Sequence, residues 1–113
     1  MDSLSRAQAA VRDLLSQYAD LDSQGPPDGL QTACVFDDEH GQYLVMRFGW
    51  SGQRRVEGIL LHVRIHEGTV WLEENGTDRL IADELIARGV PAADIVLGFV
   101  PPEFREPLSS AVA

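Results

Sequence analysis

Lysine is missing from this chain altogether. The positive charge rests on 9 arginines set against 18 acidic residues, a formal net charge of −9. Such a balance repels a polyanion rather than releasing counterions from it, which disfavours direct nucleic-acid binding. Cysteine is nearly as scarce. Cys34 stands alone among 113 residues, so there is no intrachain disulfide, no zinc-site spacing and no redox pair. No apolar run approaches the roughly 20 residues of a membrane-spanning helix. No charged n-region with an apolar h-region opens the chain, and a cytoplasmic location is the expectation. Repeats and low-complexity tracts are absent too. With 44% hydrophobic and 24% charged residues, the composition is that of a folded domain. A chain this short holds one core, so residues 1–113 read as a single domain.

The first 21 residues carry a helical pattern. Leu4, Ala7, Val11, Leu14, Leu15, Tyr18 and Leu21 recur at three- and four-residue steps, with Asp2 or Ser3 placed to cap the first amides. The paired prolines and glycines of Asp22 to Gly29 then force a loop. Four strand-like segments follow, near Leu30 to Phe36, Gln42 to Trp50, Arg55 to His66 and Thr69 to Glu74, joined by short turn-forming links. Consecutive hairpins predict an antiparallel meander. Thr77 is placed to cap a second helix from about Asp78 to Arg88, and Gly89, Val90 and Pro91 form a stop signal. One more helical turn is expected from Pro91 to Asp94. A short extended run from Ile95 to Phe99 follows, then a final short helix opened by Pro101-Pro102. The predicted fold class is α+β: an N-terminal helix, a four-stranded antiparallel meander, and C-terminal helices packed on one sheet face.

Alternation assigns the two faces. Leu44, Met46, Phe48 and Trp50 share one side of the second strand, and Ile59, Leu61, Val63 and Ile65 one side of the third; these predict the helix-covered face. Tyr43, Val45 and Arg47, with Leu60, His62, Arg64 and His66, then fall on the uncovered side. That mixture is too polar for a second core and too apolar for plain solvent surface, as expected of a partner interface.

Residues that could carry chemistry do not gather. His62 and His66 lie roughly 13 Å apart at ~3.3 Å per residue, too far to share one metal ion unaided. Asp37, Asp38 and Glu39 sit in a hairpin loop, where solvated acids are expected. Glu73 and Glu74, adjacent on a strand, should face opposite sides and so form no catalytic pair. No serine nucleophile elbow, phosphate-binding glycine loop or zinc-helix motif is present. Neither a catalytic set, a metal site nor a cofactor is expected. Cys34 reads as a small buried hydrophobe, and Trp50, Trp71 and Phe99 as core aromatics. Arg54 and Arg55, opening the third strand, are suited by their planar forks to hold an anion or a carboxylate.

Beyond these physical cues, an ordered set of residues resembles the XisI family: Phe48-Gly49-Trp50, the Arg54-Arg55 pair, Gly58 to Ile65, Trp71 to Thr77, Ile81 to Leu85, Gly89-Val90-Pro91, Asp94 to Phe99, and Pro102 to Arg105 with the Ala111-Val112-Ala113 tail. Members of that family control excision of the fdxN element, a DNA insertion removed from cyanobacterial chromosomes during heterocyst differentiation. They are typically found with XisH, a protein resembling endonucleases. In place of the family's Lys-Ile-Trp-Ile-Gln this chain has Thr69-Val70-Trp71-Leu72-Glu73. The resemblance implies a non-catalytic accessory protein that docks a XisH-like partner or another copy of itself. The residues expected to do so are Tyr43, Arg47, His62 and Arg64 on the uncovered sheet face, Arg54 and Arg55 at the start of the third strand, and Phe99 and Phe104 in the end segment. A homo-oligomeric module, or a small enzyme or ligand binder using Arg47, His62 and Arg64 in a cleft between subunits, stand as the alternatives.

Overall fold

The computed structural model describes residues 2–23 and 29–106; most of the predicted loop after the first helix and the Ala111 to Ala113 tail lie outside the described residues. The first helix, α1 (Ser3–Ser23), starts as its sequence dictates, with the Asp2 carboxylate accepting the Ser5 amide at 2.7 Å. Its apolar stripe, Ala10, Val11, Leu14 and Leu15, is buried against the sheet. Each of the valine and leucine side chains, taken fully out of water, contributes about 1.5–3 kcal/mol.

Strands β1 (Leu30–Asp37), β2 (Gln42–Ser51), β3 (Arg54–His66) and β4 (Thr69–Asn75) form the expected antiparallel meander. Glu67 and Gly68 turn the third hairpin with φ of 50° and 79°, the positive pair that a two-residue link requires. The chain then departs from the expected pattern. Ile95–Leu97 is a fifth strand, β5, running parallel to β4, so the sheet is mixed and ordered β1-β2-β3-β4-β5. A parallel neighbour needs a crossover, and helix α2 (Ile81–Ala87) supplies it.

That helix is shorter than its periodicity suggests. Thr77 does not cap it: its amide and hydroxyl both donate to the Asn75 side-chain oxygen, and its hydroxyl accepts the Arg79 amide, closing a turn before the helix begins. The other end follows the sequence closely. Gly89, at φ 99°, donates to Ile86 and Val90 to Leu85, the two reversed bonds of a Schellman ending, with Val90 buried beside them. Arg88 ties this end to α1 through Asp13 (3.0 Å) and Gln17 (2.6 Å). Single 3-10 turns at Ala92–Asp94 and Pro102–Phe104 stand where short helices are expected.

Both helices share one core with one side of the sheet, on which Tyr43, Val45, Leu61, Val63, Ile65, Val70, Leu72 and Ile95 are buried. In β2 this is the reverse of the alternation reading, and register explains why. Residues directly opposite on paired strands share a face, and Tyr43 and Val45 stand opposite Val63 and Leu61. Leu44, Met46, Phe48 and Trp50 therefore point away from the helices.

In β3 a bulge adds a second reversal. Val45 pairs with Leu61 but Met46 pairs with Ile59, so Leu60 is the extra residue and Ile59 moves to the open side. β4 carries a similar irregularity. His62 pairs with Glu74 and Val63 with Leu72, leaving Glu73 unmatched.

Candidate functional site

With one side sealed by α1 and α2, the other side of the sheet is the candidate site, and its rows follow from the pairing. Asp37, Gln42, Arg64, Trp71 and Val96 form one row across all five strands. Next come Val35, Leu44, His62 and Glu74; then Ala33, Met46 and Ile59; then Gln31, Phe48 and Glu57; and last Trp50 with Arg55. The central row is wholly apolar, and Val35, Leu44 and Phe48 flank it in the rows on either side. Val35 and Ile59 are each 47% exposed and Trp50 is 53% exposed, so large hydrophobes reach solvent along this flank.

Charge is concentrated at the two ends. At one, the Arg64 guanidinium lies 4.9 Å from the Trp71 ring centroid and binds Glu73 at 2.9 Å. Arg105 is placed 5.5 Å from the same ring, held by the Leu97 and Val100 carbonyls at 3.1 and 2.8 Å. The indole N–H of Trp71 is buried without a partner among the described residues. The chain after β5 passes so close to Glu73 that a Cβ at Gly98 would displace the Glu73 carboxylate. At the other end, Arg55 stacks 5.6 Å from the Trp50 ring centroid and approaches Glu57 at 3.4 Å. Between them His62 Nε2 meets the Gln42 side-chain oxygen at 2.7 Å. Arginines stacked on tryptophans beside carboxylates are common equipment of protein interfaces.

The structure sorts the expected interface residues into three groups. His62, Arg64 and Arg55 share the open face. Arg54 sits at the β2–β3 hairpin, opposite Ser51, while Phe99 and Phe104 are exposed beyond β5, Phe104 to 70%. Tyr43 and Arg47 are corrections to the sequence reading, because register turns both toward the helix side. Arg47 stands level with Thr32, whose hydroxyl reaches the Ala19 carbonyl of α1. The cleft of Arg47, His62 and Arg64 does not assemble within the chain, since the first of these lies on the opposite face from the other two.

What alternation missed is the apolar set Leu44, Met46, Phe48 and Ile59, together with Trp50 and Trp71, both expected in the core. Gly58, two residues before the bulge, is the one local hint of an irregular strand. Glu73 and Glu74 also end on the same side, Glu73 through its ion pair with Arg64 and Glu74 opposite His62, because the irregularity between them and Leu72 cancels strict alternation.

Tyr43 is instead a structural residue. Buried completely, its hydroxyl donates to Asp38 at 2.7 Å and its ring meets Phe36 at 5.9 Å. Burial, then the hydrogen bond to Asp38, raises its pKa far above the usual tyrosine value of 10.0. A raised folded pKa means stability that is fully present below the unfolded value and lost as pH rises past about 10. Tyr43→Phe is expected to cost about 1 kcal/mol at neutral pH and to remove this alkaline component from a denaturation series run from pH 8 to 11.

Asp37, Glu39 and His40 bring potential ligand atoms within 4.8 Å of one another in the first hairpin. The hairpin accounts for their positions: Asp37 accepts the His40 amide at 3.1 Å and lies 2.7 Å from its ring Nδ1. The side-chain bond from His40 holds the Asp37 carboxyl below its ordinary pKa, followed by the bond from the His40 amide.

Comparison with known proteins adds the context. The family model described as XisI protein matches residues 1–112. Among solved structures, the fdxN element excision controlling factor XisI from Anabaena variabilis ATCC 29413 is 34% identical, with 93% of this chain and 100% of that chain covered and a TM-score of 0.81. A XisI-like protein from the same organism is 38% identical, with 90% and 92% covered and a TM-score of 0.82. No curated protein sequence matches the chain.

Proposed function

The chain belongs to the XisI family, and from that premise we propose that it is a non-catalytic, cytoplasmic accessory factor in DNA element excision that works by docking a XisH-like, nuclease-related protein. The observation that carries this reading is the uncovered sheet face, whose apolar middle is bounded by Arg64 with Trp71 at one end and Arg55 with Trp50 at the other. An interface with an apolar centre and a polar rim is how two folded proteins exclude water while keeping specificity. The net charge of −9 supports contact with the more basic partner rather than with DNA itself.

Co-purification of the chain with a XisH-like protein tests the proposal. A complex is expected at low salt, and because the centre of the face is apolar it should largely persist when rim charges are screened. Failure to recover any complex at both low and high salt would overturn it. Homo-oligomerisation is a second part of the reading, favoured by an edge strand that carries no charge between Leu30 and Phe36.

A further inference from the structure

We propose that two copies of this chain pair through the outer edge of β1, joining their sheets into one ten-stranded sheet about a two-fold axis that passes beside Ala33. This deepens the oligomeric part of the reading above and is independent of the nuclease-like partner.

The argument begins with the hydrogen bonds of β1. The Trp50 amide donates to the Gly29 carbonyl at 3.1 Å, so this opposed pair is a hydrogen-bonded one. In an antiparallel ladder every second residue repeats that orientation, and Gln31, Ala33 and Val35 therefore turn their main-chain groups toward β2. Those of Thr32, Cys34 and Phe36 point outward. β1 is the end strand of the sheet order, so no strand among the described residues meets them. Its pairing with β2 runs without interruption from Leu30 to Asp37, and a strand this regular is a template for another strand.

Within the strand itself none of the usual sequence protections is present. The Leu30 to Phe36 segment has no lysine, no proline, no charge and no bulge. Only at Asp37 does charge begin.

Charge also selects the occupant. Two molecules of −9 repel over most of their surface, yet this neutral segment lets them meet without placing like charges opposite each other. Symmetry then restricts the register. In a two-fold antiparallel pair each outward-pointing residue must meet another, so the axis passes through a residue position and not between two. Centring on Ala33 overlaps the uncharged segment: Thr32 meets Cys34 of the second copy, and Ala33 faces Ala33. Both copies of Asp37 fall outside the pairing. Closed two-fold association of this kind is the commonest form of homo-oligomer. It also makes the open faces of the two sheets continuous.

Sedimentation of the purified chain over a range of concentrations, with amide hydrogen exchange on the same samples, tests this. A monomer–dimer equilibrium is expected, with exchange at Thr32, Cys34 and Phe36 slowing as dimer forms. Ala33→Glu, which sets two carboxylates face to face, and Cys34→Pro, which deletes an outward N–H and spares the β2 ladder, should each weaken the dimer about tenfold or more. Circular dichroism of both variants should remain that of the folded chain. If Cys34→Pro fails to fold, the exchange series on the unaltered chain still decides. A chain that stays monomeric throughout, or a dimer in which those three amides exchange at a concentration-independent rate, would overturn the proposal. So would a dimer lost with Met46→Asp and kept with Ala33→Glu, which would place the contact on the sheet face.

Discussion

Val45→Asp is expected to unfold the protein at 25 °C, while Met46→Asp, one residue later, should leave it folded with a melting temperature lowered by only about 5 °C. The two residues differ by a single step along β2, and the sheet turns that step into opposite environments. Val45 has no exposure to solvent and stands between Cys34 and Leu61 in a core roofed by Leu14 and Leu15. A carboxylate there meets no cation in its row, where Cys34 and Asn75 already bond the Leu15 and Arg79 carbonyls, and an unpaired buried charge costs about 5 kcal/mol or more. Small domains commonly have 5–15 kcal/mol in all. Met46 lies on the open face between Ala33 and Ile59, and Ile59 is itself half in water. Aspartate there can hydrate, so the loss is mainly poor strand propensity and some apolar contact, about 1 kcal/mol. Urea titration of both variants by circular dichroism checks the pair. Equal destabilisation would mean that the faces are not divided as described.

The second large effect follows from the first. Met46→Asp and Ile59→Asp, though folded, should lose the XisH-like partner by about a hundredfold or more, because each puts a charge into the apolar centre of the proposed contact. A hundredfold corresponds to about 2.7 kcal/mol, within the range for truncating or charging a central anchor. Arg55→Ala, at the rim, should change affinity less than tenfold and act mainly on the association rate and its salt dependence. Isothermal titration or biolayer measurements with the purified partner would separate these cases. If both central substitutions bind like the parent chain, the sheet face is not where the partner sits, whatever the fate of the β1 edge.

Much of the architecture could be read from local pattern. The stripe of α1, its Asp2 cap, the three hairpins and the Gly89-Val90 helix stop are set by neighbours within a few residues, and the structure has them where the sequence places them. The faces were harder. Alternation says which residues of one strand go together, but not which group of one strand joins which group of the next. Here the more hydrophobic set of β2, Leu44, Met46, Phe48 and Trp50, is the outward one. The bulge at Leu60 further splits β3, putting Ile59 and Leu61 on opposite sides although they are two residues apart. Thr77 shows the same limit at a smaller scale. Its place before an apolar run predicts a helix cap, but Asn75 and Arg79 use it in a turn before the helix begins.

By itself, then, the amino-acid order determined an acidic α+β domain of the XisI type with a helix, a meander and a capped C-terminal helix. These depend on periodicity, turn residues and charge, all properties of short stretches. Only the tertiary structure decided that β5 joins as a parallel fifth strand, that Tyr43 and Arg47 turn inward, and that Met46, Ile59 and Trp71 turn out. The reason is that strand register and bulges are set by many weak contacts between distant segments, and a shift of one residue exchanges a buried face for an open one.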